Sequence, residues 1–184
     1  IAFGRNNYNE TTHDNYMMLD LPRVVYKLKN ECIVSVKSGW EHNVAIDKYG
    51  NVFTWGNNSV CQCGIKPSEQ NEYTIKISTP INLSAIHNGL NVVDSACGNE
   101  HTLFLHRNNN KIYGIGNNMD GVLGQSNLEL KTHEPVEIDI PLSYGKVTSI
   151  SSGTVHNVAL TSKGCVFAWG SAQGGQLGLS EKQM

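Results

Sequence analysis

A threefold internal repeat is the feature that most constrains the fold of this 184-residue chain. The stretches IVSVKSGWEHNVAID, VVDSACGNEHTLFLH and VTSISSGTVHNVALT each hold two alternating segments separated by Gly-x-x-His. The copies begin about 55 to 60 residues apart. A period of this length predicts a repeat architecture, in which one supersecondary unit is used several times. The motif residues are Gly39 and His42, Gly98 and His101, and Gly153 and His156.

Further anchors recur in the same register. A third segment ends each copy at a glycine, and a second glycine follows at a constant distance. These two sets are Gly56, Gly116 and Gly170, and Gly64, Gly124 and Gly178. A proline precedes each Gly-x-x-His motif and is followed by a β-prone stretch; the pairs are Pro22 with RVVYKL, Pro80 with INLSAI, and Pro135 with VEIDI. The common register predicts four strands in each copy.

The segments alternate apolar and polar residues, as half-buried strands do. Val44 and Ile46, for example, fall on one face of the segment HNVAID. The glycine of Gly-x-x-His is expected to occupy a tight turn with positive φ. The stretches DKYGN, HRNNNK and TSKGC are predicted hairpin turns, in which Asn110 replaces the glycine of the other two copies. Asn is the residue after Gly that best tolerates a left-handed turn position.

Four short antiparallel strands in each unit predict a β-propeller blade, and a lone blade cannot bury both faces. Composition agrees, because the chain has 18 glycines and only 16% charged residues, whereas helical bundles need many Glu, Lys and Arg residues on their surfaces. The predicted fold class is therefore all-β: a partial β-propeller of about three four-stranded antiparallel blades.

The repeats resemble those of the regulator of chromosome condensation family, which read approximately I-x-x-I-x-x-G-x-x-H-T-x-A-L-T-x-x-G-x-V-x-x-W-G-x-N-x-x-G-Q-L-G. Copy three matches nearly throughout, from Val147 to Gly178. Copy one has CQCG where the family has GQLG. Copy two has GVLG there and Ile115 at the tryptophan position. At the start of the chain, Gly4 aligns with Gly56, but TTHD at residues 11–14 leaves the Gly-Gln-Leu-Gly motif missing.

The resemblance implies a seven-bladed propeller, of which this sequence would hold about three blades. We expect residues 1–32 to end a preceding repeat, 33–91 and 92–146 to be full repeats, and 147–184 to be a truncated one. The chain starts at Ile1 without a Met or a charged leader, so we interpret it as a piece of a longer protein. Such a piece is expected to self-associate or to recruit the missing blades.

The aligned histidines have two interpretations, a metal site or a structural hydrogen bond to backbone at a blade turn. The structural interpretation is favoured, because each histidine belongs to a different blade and no Cys or carboxylate recurs beside it. Cys63 aligns with Leu123 and Leu177, which indicates a small buried hydrophobe. The five cysteines are irregularly spaced and predict no disulfide framework, so a reduced intracellular protein is expected.

No residue pattern predicts catalysis, and no cofactor or metal is expected. The Gly-rich stretches lack the Lys-Ser/Thr ending of a phosphate-binding loop. Trp40 differs from its counterparts Asn99 and Thr154 and is a candidate interface residue, with local packing as the alternative.

The resemblance implies a protein-interaction propeller, and most specifically a guanine-nucleotide exchange factor for a Ran-like small GTPase, without covalent chemistry. The alternatives are a non-exchanging recognition or scaffold module of a larger regulatory protein such as a ubiquitin ligase and, third, a propeller enzyme. The net charge of −2 argues against direct nucleic-acid binding. The chain has no apolar run long enough to span a membrane. Localisation is expected to be intracellular, either nuclear or cytoplasmic.

Overall fold

The computed structural model describes residues 1–13, 16–66, 74–75, 91–108, 111–125 and 130–179, and these residues form an all-β structure. Two 3-10 helices, Tyr26–Leu28 and Leu142–Tyr144, are present in these ranges, and no helix there could cross a membrane. The strands are β1 (Ala2–Arg5), β2 (Met18–Arg23), β3 (Ile33–Ser38), β4 (His42–Asp47), β5 (Val52–Asn57), β6 (Thr74–Ile75), β7 (Val92–Cys97), β8 (His101–His106), β9 (Ile112–Asn117), β10 (Lys131–Ile138), β11 (Val147–Ser152), β12 (His156–Thr161) and β13 (Val166–Gly170).

The strands form four antiparallel sheets, called blades one to four below. Blade one contains β1 and β2, blade two β3 to β6, blade three β7 to β10, and blade four β11 to β13. Within each sheet, neighbouring strands are also consecutive in sequence. This up-and-down arrangement confirms the predicted fold class of a partial β-propeller.

The strand register is the same in every blade. The histidine that begins the second strand lies opposite the glycine near the end of the third; the pairs are His42 with Gly56, His101 with Gly116, and His156 with Gly170. On the other side of the third strand, Gly4 pairs with Leu19 as Gly56 pairs with Ile75. Strands β1 and β2 are therefore the third and fourth strands of blade one.

The hydrophobic core lies between blades. One cluster joins the second and third strands of blade two to blade three; its members are Val44, Ile46, Val52, Val92, Phe104 and Ile115. A second cluster joins blade three to blade four in the same way, and it includes Leu103, Leu105, Val147, Ile150 and Ala159. Each blade buries one face against the next, so the stability of the structure depends on stacking of neighbouring blades.

The recurring prolines were predicted to precede strands, but the two that the structure describes lie inside strands. Pro22 lies inside β2, and RVVYKL runs from the end of β2 into the 3-10 helix Tyr26–Leu28. Pro135 lies inside β10, where the pairing with β9 shifts register. Both prolines are in fourth strands at a sheet edge, where a residue without an N–H need not break a hydrogen-bond ladder. Pro80, the INLSAI stretch (residues 81–86) and Asn110 lie outside the described residues.

Candidate functional site

The three Gly-x-x-His turns lie side by side at one end of blades two to four. The Asn99 backbone N–H donates to the Thr154 carbonyl of the next turn, at 3.0 Å. The predicted positive φ at Gly39, Gly98 and Gly153 is wrong, because none of them is in the left-handed region. Glycine is required at these positions because a side chain would not fit. A Cβ on Gly98 would overlap the imidazole ring of His101, and the other two turns have the same geometry.

Each buried histidine of this motif bonds to the next blade through a side chain, and the prediction of a bond to backbone is wrong. His42 Nε2 lies 2.9 Å from Thr102 Oγ1, and His101 Nε2 lies 2.7 Å from Asn157 Oδ1. The Thr102 hydroxyl donates to the Gln62 carbonyl, so its oxygen accepts the Nε2–H of His42. The two imidazoles therefore act as hydrogen-bond donors between blades.

The two residues that accept these hydrogen bonds, Thr102 and Asn157, also donate hydrogen bonds to the preceding blade. Asn157 Nδ2 donates to the Val122 carbonyl at 2.8 Å, and Thr102 Oγ1 donates to the Gln62 carbonyl at 2.8 Å. Both acceptors lie in the loop that follows the third strand of the preceding blade. The sequence signal for these inter-blade hydrogen bonds is a short polar residue directly after each histidine, which is Asn43, Thr102 or Asn157. The signal can be interpreted only once neighbouring blades are placed side by side, because each bond joins two different copies of the repeat.

The tryptophans of the third strand use the same loop carbonyls. Trp55 Nε1 donates to the Glu10 carbonyl at 2.8 Å, and Trp169 Nε1 donates to the Val122 carbonyl at 2.9 Å. Ile115 occupies this position in blade three and is fully buried, without a polar group to satisfy. The recurring aromatic residue is therefore a structural link between blades.

The glycines near the end of the third strand need positive φ. Gly56 has φ of +108° and Gly170 has φ of +108°, and a Cβ at Gly170 would lie 2.7 Å from the Val155 carbonyl oxygen. A side chain here would clash with the Gly-x-x-His turn, so these glycines let the third strand approach that turn closely.

The loop after the third strand is conserved in shape across all four blades. Gly64, Gly124 and Gly178, and the residues three positions before them, all have positive φ. In blade one, Asn9 and Thr12 have φ of +63° and +62° and take these positions. Residues 9–12 therefore take the conformation of the Gly-Gln-Leu-Gly loop, although the sequence of that motif is missing there, as the TTHD stretch at 11–14 indicates.

Burial keeps two of these histidines neutral. Desolvation, with a smaller effect from His101, lowers the pKa of His42 to about 3 from 6.5. Desolvation also lowers the pKa of His101, although the hydrogen bond to Asn157 opposes the shift. A neutral ring with its proton on Nε2 is the form that both inter-blade bonds require.

Two buried cysteines, Cys63 and Cys97, lie in environments that suppress thiol reactivity. Burial raises the pKa of Cys63, and the Cys63 Sγ–H donates to the Asn57 carbonyl at 3.3 Å. Burial raises the pKa of Cys97 to about 12. Because the thiolate is the reactive form, neither thiol is a nucleophile near neutral pH. Within the described ranges, no group of three or more His, Cys, Asp or Glu residues could hold a metal ion.

Trp40 stands apart from these packed groups. Its side chain is 71% exposed, whereas that of Trp55 is 3% exposed. It borders an open depression of about 240 Å³ formed by the three neighbouring turns, which we call the turn surface; its residues are Ser38, Gly39, Trp40, Cys97, Gly98, Asn99, Ser152, Gly153 and Thr154. This depression brings the turns of three blades to one surface.

Successive sheets of one register, joined by the same hydrogen bonds, define a β-propeller built from sequence repeats. The model of the regulator of chromosome condensation (RCC1) repeat matches residues 49–105 and 109–160, and a second model of that repeat matches 33–64 and 147–176. The chain belongs to the regulator of chromosome condensation (RCC1) repeat family.

Two proteins of similar sequence are much longer than this chain. The chain is 28% identical over 188 residues to the human probable E3 ubiquitin-protein ligase HERC6. The alignment covers 100% of this chain and 17% of the ligase. It is 32% identical over 163 residues to protein pim1 of Schizosaccharomyces pombe, covering 82% of this chain and 29% of pim1. The chain thus spans less than a third of either relative.

A solved structure shows the same fold. A chain in the crystal structure of Kap60 bound to yeast RCC1 (Prp20) superposes with a TM-score of 0.74 at 20% identity. The superposition covers 98% of this chain and 41% of that chain. The four blades therefore correspond to less than half of the matched chain.

Proposed function

We propose that this chain forms part of a protein-recognition propeller, and that its contact surface includes the turn surface around Trp40. The exposure of Trp40 is the observation that carries this proposal. A large aromatic side chain on rigid, hydrogen-bonded turns loses little conformational freedom on binding, and tryptophan is enriched among residues that dominate protein interfaces. The turns on either side offer backbone and short polar groups that suit a specific protein contact.

The most specific activity we propose is guanine-nucleotide exchange on a Ran-like small GTPase. Support comes from the repeat family and from the structural likeness to yeast RCC1. In exchange factors of this family, contact between the propeller and the GTPase displaces the nucleotide, so no covalent step, cofactor or metal is required. The buried, neutral histidines and protonated thiols suit a rigid scaffold of this kind.

The second candidate is a recognition or scaffold module within a larger regulatory protein such as a ubiquitin ligase. The similarity to HERC6 favours it, because the match covers this whole chain but only 17% of the ligase. In this case the propeller would select a protein partner without accelerating nucleotide release.

A nucleotide-release assay with the full-length protein separates the two candidates. The probe is a Ran-like GTPase loaded with a fluorescent guanine nucleotide. An exchange factor accelerates release in proportion to its concentration. Binding of the GTPase without acceleration would reject exchange and favour the scaffold function.

Trp40→Ala in the full-length protein tests the proposed surface. We expect a loss of partner affinity of roughly 30-fold, as for an interface residue worth about 2 kcal/mol. Tyr49→Ala is the matched control, because Tyr49 is also an exposed aromatic residue but lies in the hairpin turn at the other end of β4. Equal effects of the two substitutions would contradict the proposal.

The near-neutral charge of this chain, formally −2, argues against binding driven by nucleic-acid phosphates, so we propose that its partners are proteins. From the family, we propose an intracellular location, either nuclear or cytoplasmic. We also propose that the open blade edges bind either a second copy of the chain or further blades, and light scattering at increasing concentration measures the first of these.

A further inference from the structure

Cations are concentrated at one end of blades two to four. The hairpin turns between the second and third strands of these blades lie at this end, and they carry Lys48, Arg107 and Lys163. The Gly-x-x-His turns lie at the opposite end, and they carry Glu41 and Glu100 but no Lys or Arg residue. The formal net charge of −2 therefore gives no indication of the positive charge at the hairpin end.

The positive charge recurs at one position of the blade. In each blade, the first residue of the hairpin turn donates its backbone N–H to the carbonyl of the residue just ahead of the first strand. The bonded pairs are Lys48 with Cys32 at 3.1 Å, Arg107 with Asn91 at 2.7 Å, and Ser162 with Lys146 at 2.7 Å. One residue of each pair is a cation, so three consecutive blades place a positive side chain at equivalent positions.

These cations form one exposed surface. A backbone hydrogen bond joins blades two and three at this end, with the Val92 N–H donating to the Gly50 carbonyl at 3.3 Å. The side chains of the basic residues at the hairpin turns and beside them are exposed. We call this surface the hairpin surface; its residues are Lys48, Arg107, Lys146 and Lys163.

The charge of the hairpin surface is not neutralised within the part of the chain that the structure describes. Arg107 Nε donates to Asn91 Oδ1 at 3.0 Å, and Lys163 Nζ donates to the Ser143 carbonyl at 3.0 Å. Both acceptors are uncharged. Among the described residues, no ion pair includes a cation of this surface.

Two carboxylates at this end are held by groups of their own blades. Asp47 is 3% exposed and accepts backbone N–H groups of its own hairpin turn, from Tyr49 at 2.8 Å and Asn51 at 2.9 Å. Glu137 forms an ion pair with Lys111. Neither carboxylate therefore neutralises the hairpin surface, which is free to attract an anionic group from outside the chain.

The neighbouring groups favour a protein rather than a nucleic acid as the ligand. Leu142 is 71% exposed and is adjacent to Ser143, whose carbonyl accepts from Lys163, so an apolar contact lies beside the cations. Glu31 and Asp139 lie in the connections between blades at the same end. They would repel a duplex, whose phosphates carry one charge per about 1.7 Å of helix axis. A polypeptide can place separate carboxylates over the cations and apolar side chains between them.

We infer that the hairpin surface is a docking site for an acidic segment of a partner protein. The carboxylates of that segment pair with Lys48, Arg107 and Lys146, and the two terminal nitrogens of the Arg107 guanidinium suit a bidentate contact. The positive field also draws the segment toward this end, so association is faster at low ionic strength. This surface lies at the end opposite Trp40 and takes a partner other than the one bound at the turn surface.

The binding test uses the full-length protein and a fluorescently labelled, Glu-rich peptide as the probe. The control peptide has glutamine in place of every glutamate. Fluorescence anisotropy measures both affinities at low ionic strength and again with added salt. We expect the Glu-rich peptide to bind at least tenfold more tightly than the control, and the difference to shrink as salt is added. Equal affinities of the two peptides would overturn the inference.

Charge reversal locates the site. One variant combines the substitutions Lys48→Glu, Arg107→Glu and Lys146→Glu. The matched control reverses one Arg and two Lys residues that are exposed near the opposite end, with Arg5→Glu, Lys66→Glu and Lys131→Glu. We expect the first variant to bind the Glu-rich peptide at least tenfold more weakly and the control less than about threefold more weakly. Equal losses would show attraction by net charge alone and overturn the inference.

A single neutral substitution keeps the test decisive if the triple variant does not fold. Arg107→Gln retains a polar side chain on the exposed turn, and we expect it to weaken peptide binding by about threefold. Circular dichroism checks that this variant is folded. Unchanged affinity in the folded Arg107→Gln protein would overturn the assignment of this surface.

Two other results would assign the surface to a different occupant. A double-stranded oligonucleotide that binds more tightly than the Glu-rich peptide, and whose binding is lost in the triple variant, would identify a nucleic-acid site and overturn the choice of a protein segment. Dimers that light scattering detects, and that both salt and the triple variant dissociate, would identify a second copy of the chain as the occupant and also overturn that choice.

Discussion

At the scale of single residues, the glycines and histidines of this repeat are required for different reasons. Gly98 makes room for the ring of His101, whereas Gly56 is needed because its φ is +108°. His101 is buried to place one N–H against the next blade. Positions that look alike in the sequence therefore respond differently to substitution.

Gly98→Ala should lower the free energy of unfolding by about 1–3 kcal/mol, because the new methyl group overpacks against the imidazole of His101. Chemical denaturation of the variant and of the parent chain measures this. Gly174→Ala is the control, since its Cβ would meet only the flexible side chain of Gln176, and its effect should be small. The penalty at Gly98 should shrink in a His101→Ala background; an equal penalty in both backgrounds would point to backbone strain instead.

Thr12→Gly should raise the free energy of unfolding by about 1 kcal/mol, because Thr12 is a β-branched residue held at φ of +62°. The matched reversal is Gly178→Thr, at φ of +66° and with no atom within 4 Å of the new Cβ. That change should be destabilising by a similar amount. Changes of opposite sign in the free energy of unfolding, measured by chemical denaturation of the two variants, would support the shared loop conformation. No change in the free energy of unfolding for Thr12→Gly would argue against it.

At the scale of strands and loops, each junction between blades repeats one set of contacts. The loop after the third strand offers a carbonyl, and the next blade contributes a tryptophan N–H and an Asn or Thr side chain. Blade three has Ile115 in place of tryptophan, so Thr102 makes the bond of this set there without an indole N–H beside it. The three junctions therefore differ in how many polar links they contain.

Trp55→Phe should lower the free energy of unfolding by about 0.5–1.5 kcal/mol, because the indole N–H no longer donates to the Glu10 carbonyl. Trp40→Phe is the control and should have little effect, since Trp40 is exposed. Both values come from urea denaturation followed by circular dichroism. A loss at Trp40 as large as that at Trp55 would contradict the assigned roles.

The repeat register predicted much of this arrangement, because residues of one blade are close in sequence. The strand order and the position of each histidine follow from alternation and from the recurring glycines. The partners of His42 and His101 could not be predicted in this way, because Thr102 and Asn157 belong to other copies. The loop at residues 9–12 was missed because Asn9 and Thr12 hold a conformation that the pattern associates with glycine.

At the scale of the whole molecule, blades two, three and four are linked in series by neutral histidines, and this makes stability depend on pH. His42 has a pKa of about 3 when folded and 6.5 when unfolded, so the unfolded chain binds the additional proton as the pH falls below 6.5. The stabilisation is complete above pH 6.5 and is lost progressively as the pH falls toward 3. The pKa of His101 is also lowered, so this histidine likewise makes the folded chain less stable as the pH falls.

We therefore expect the free energy of unfolding to fall between pH 7 and pH 5, with His42 alone contributing about 2 kcal/mol. Urea denaturation at the two pH values measures this change. His42→Gln should lose less stability over the interval than the parent chain. Identical pH dependence in the two proteins would show that His42 is not buried in its neutral form.

His42 and His101 join successive blades as neutral Nε2–H donors, and nitrogen-15 NMR of the imidazole rings measures their tautomers. We expect both histidines to show the Nε2–H tautomer at pH 7, and His42 to remain neutral on titration to pH 4.5. Protonation of His42 near pH 6.5 in the folded chain, or Nδ1–H tautomers at both positions, would contradict this expectation.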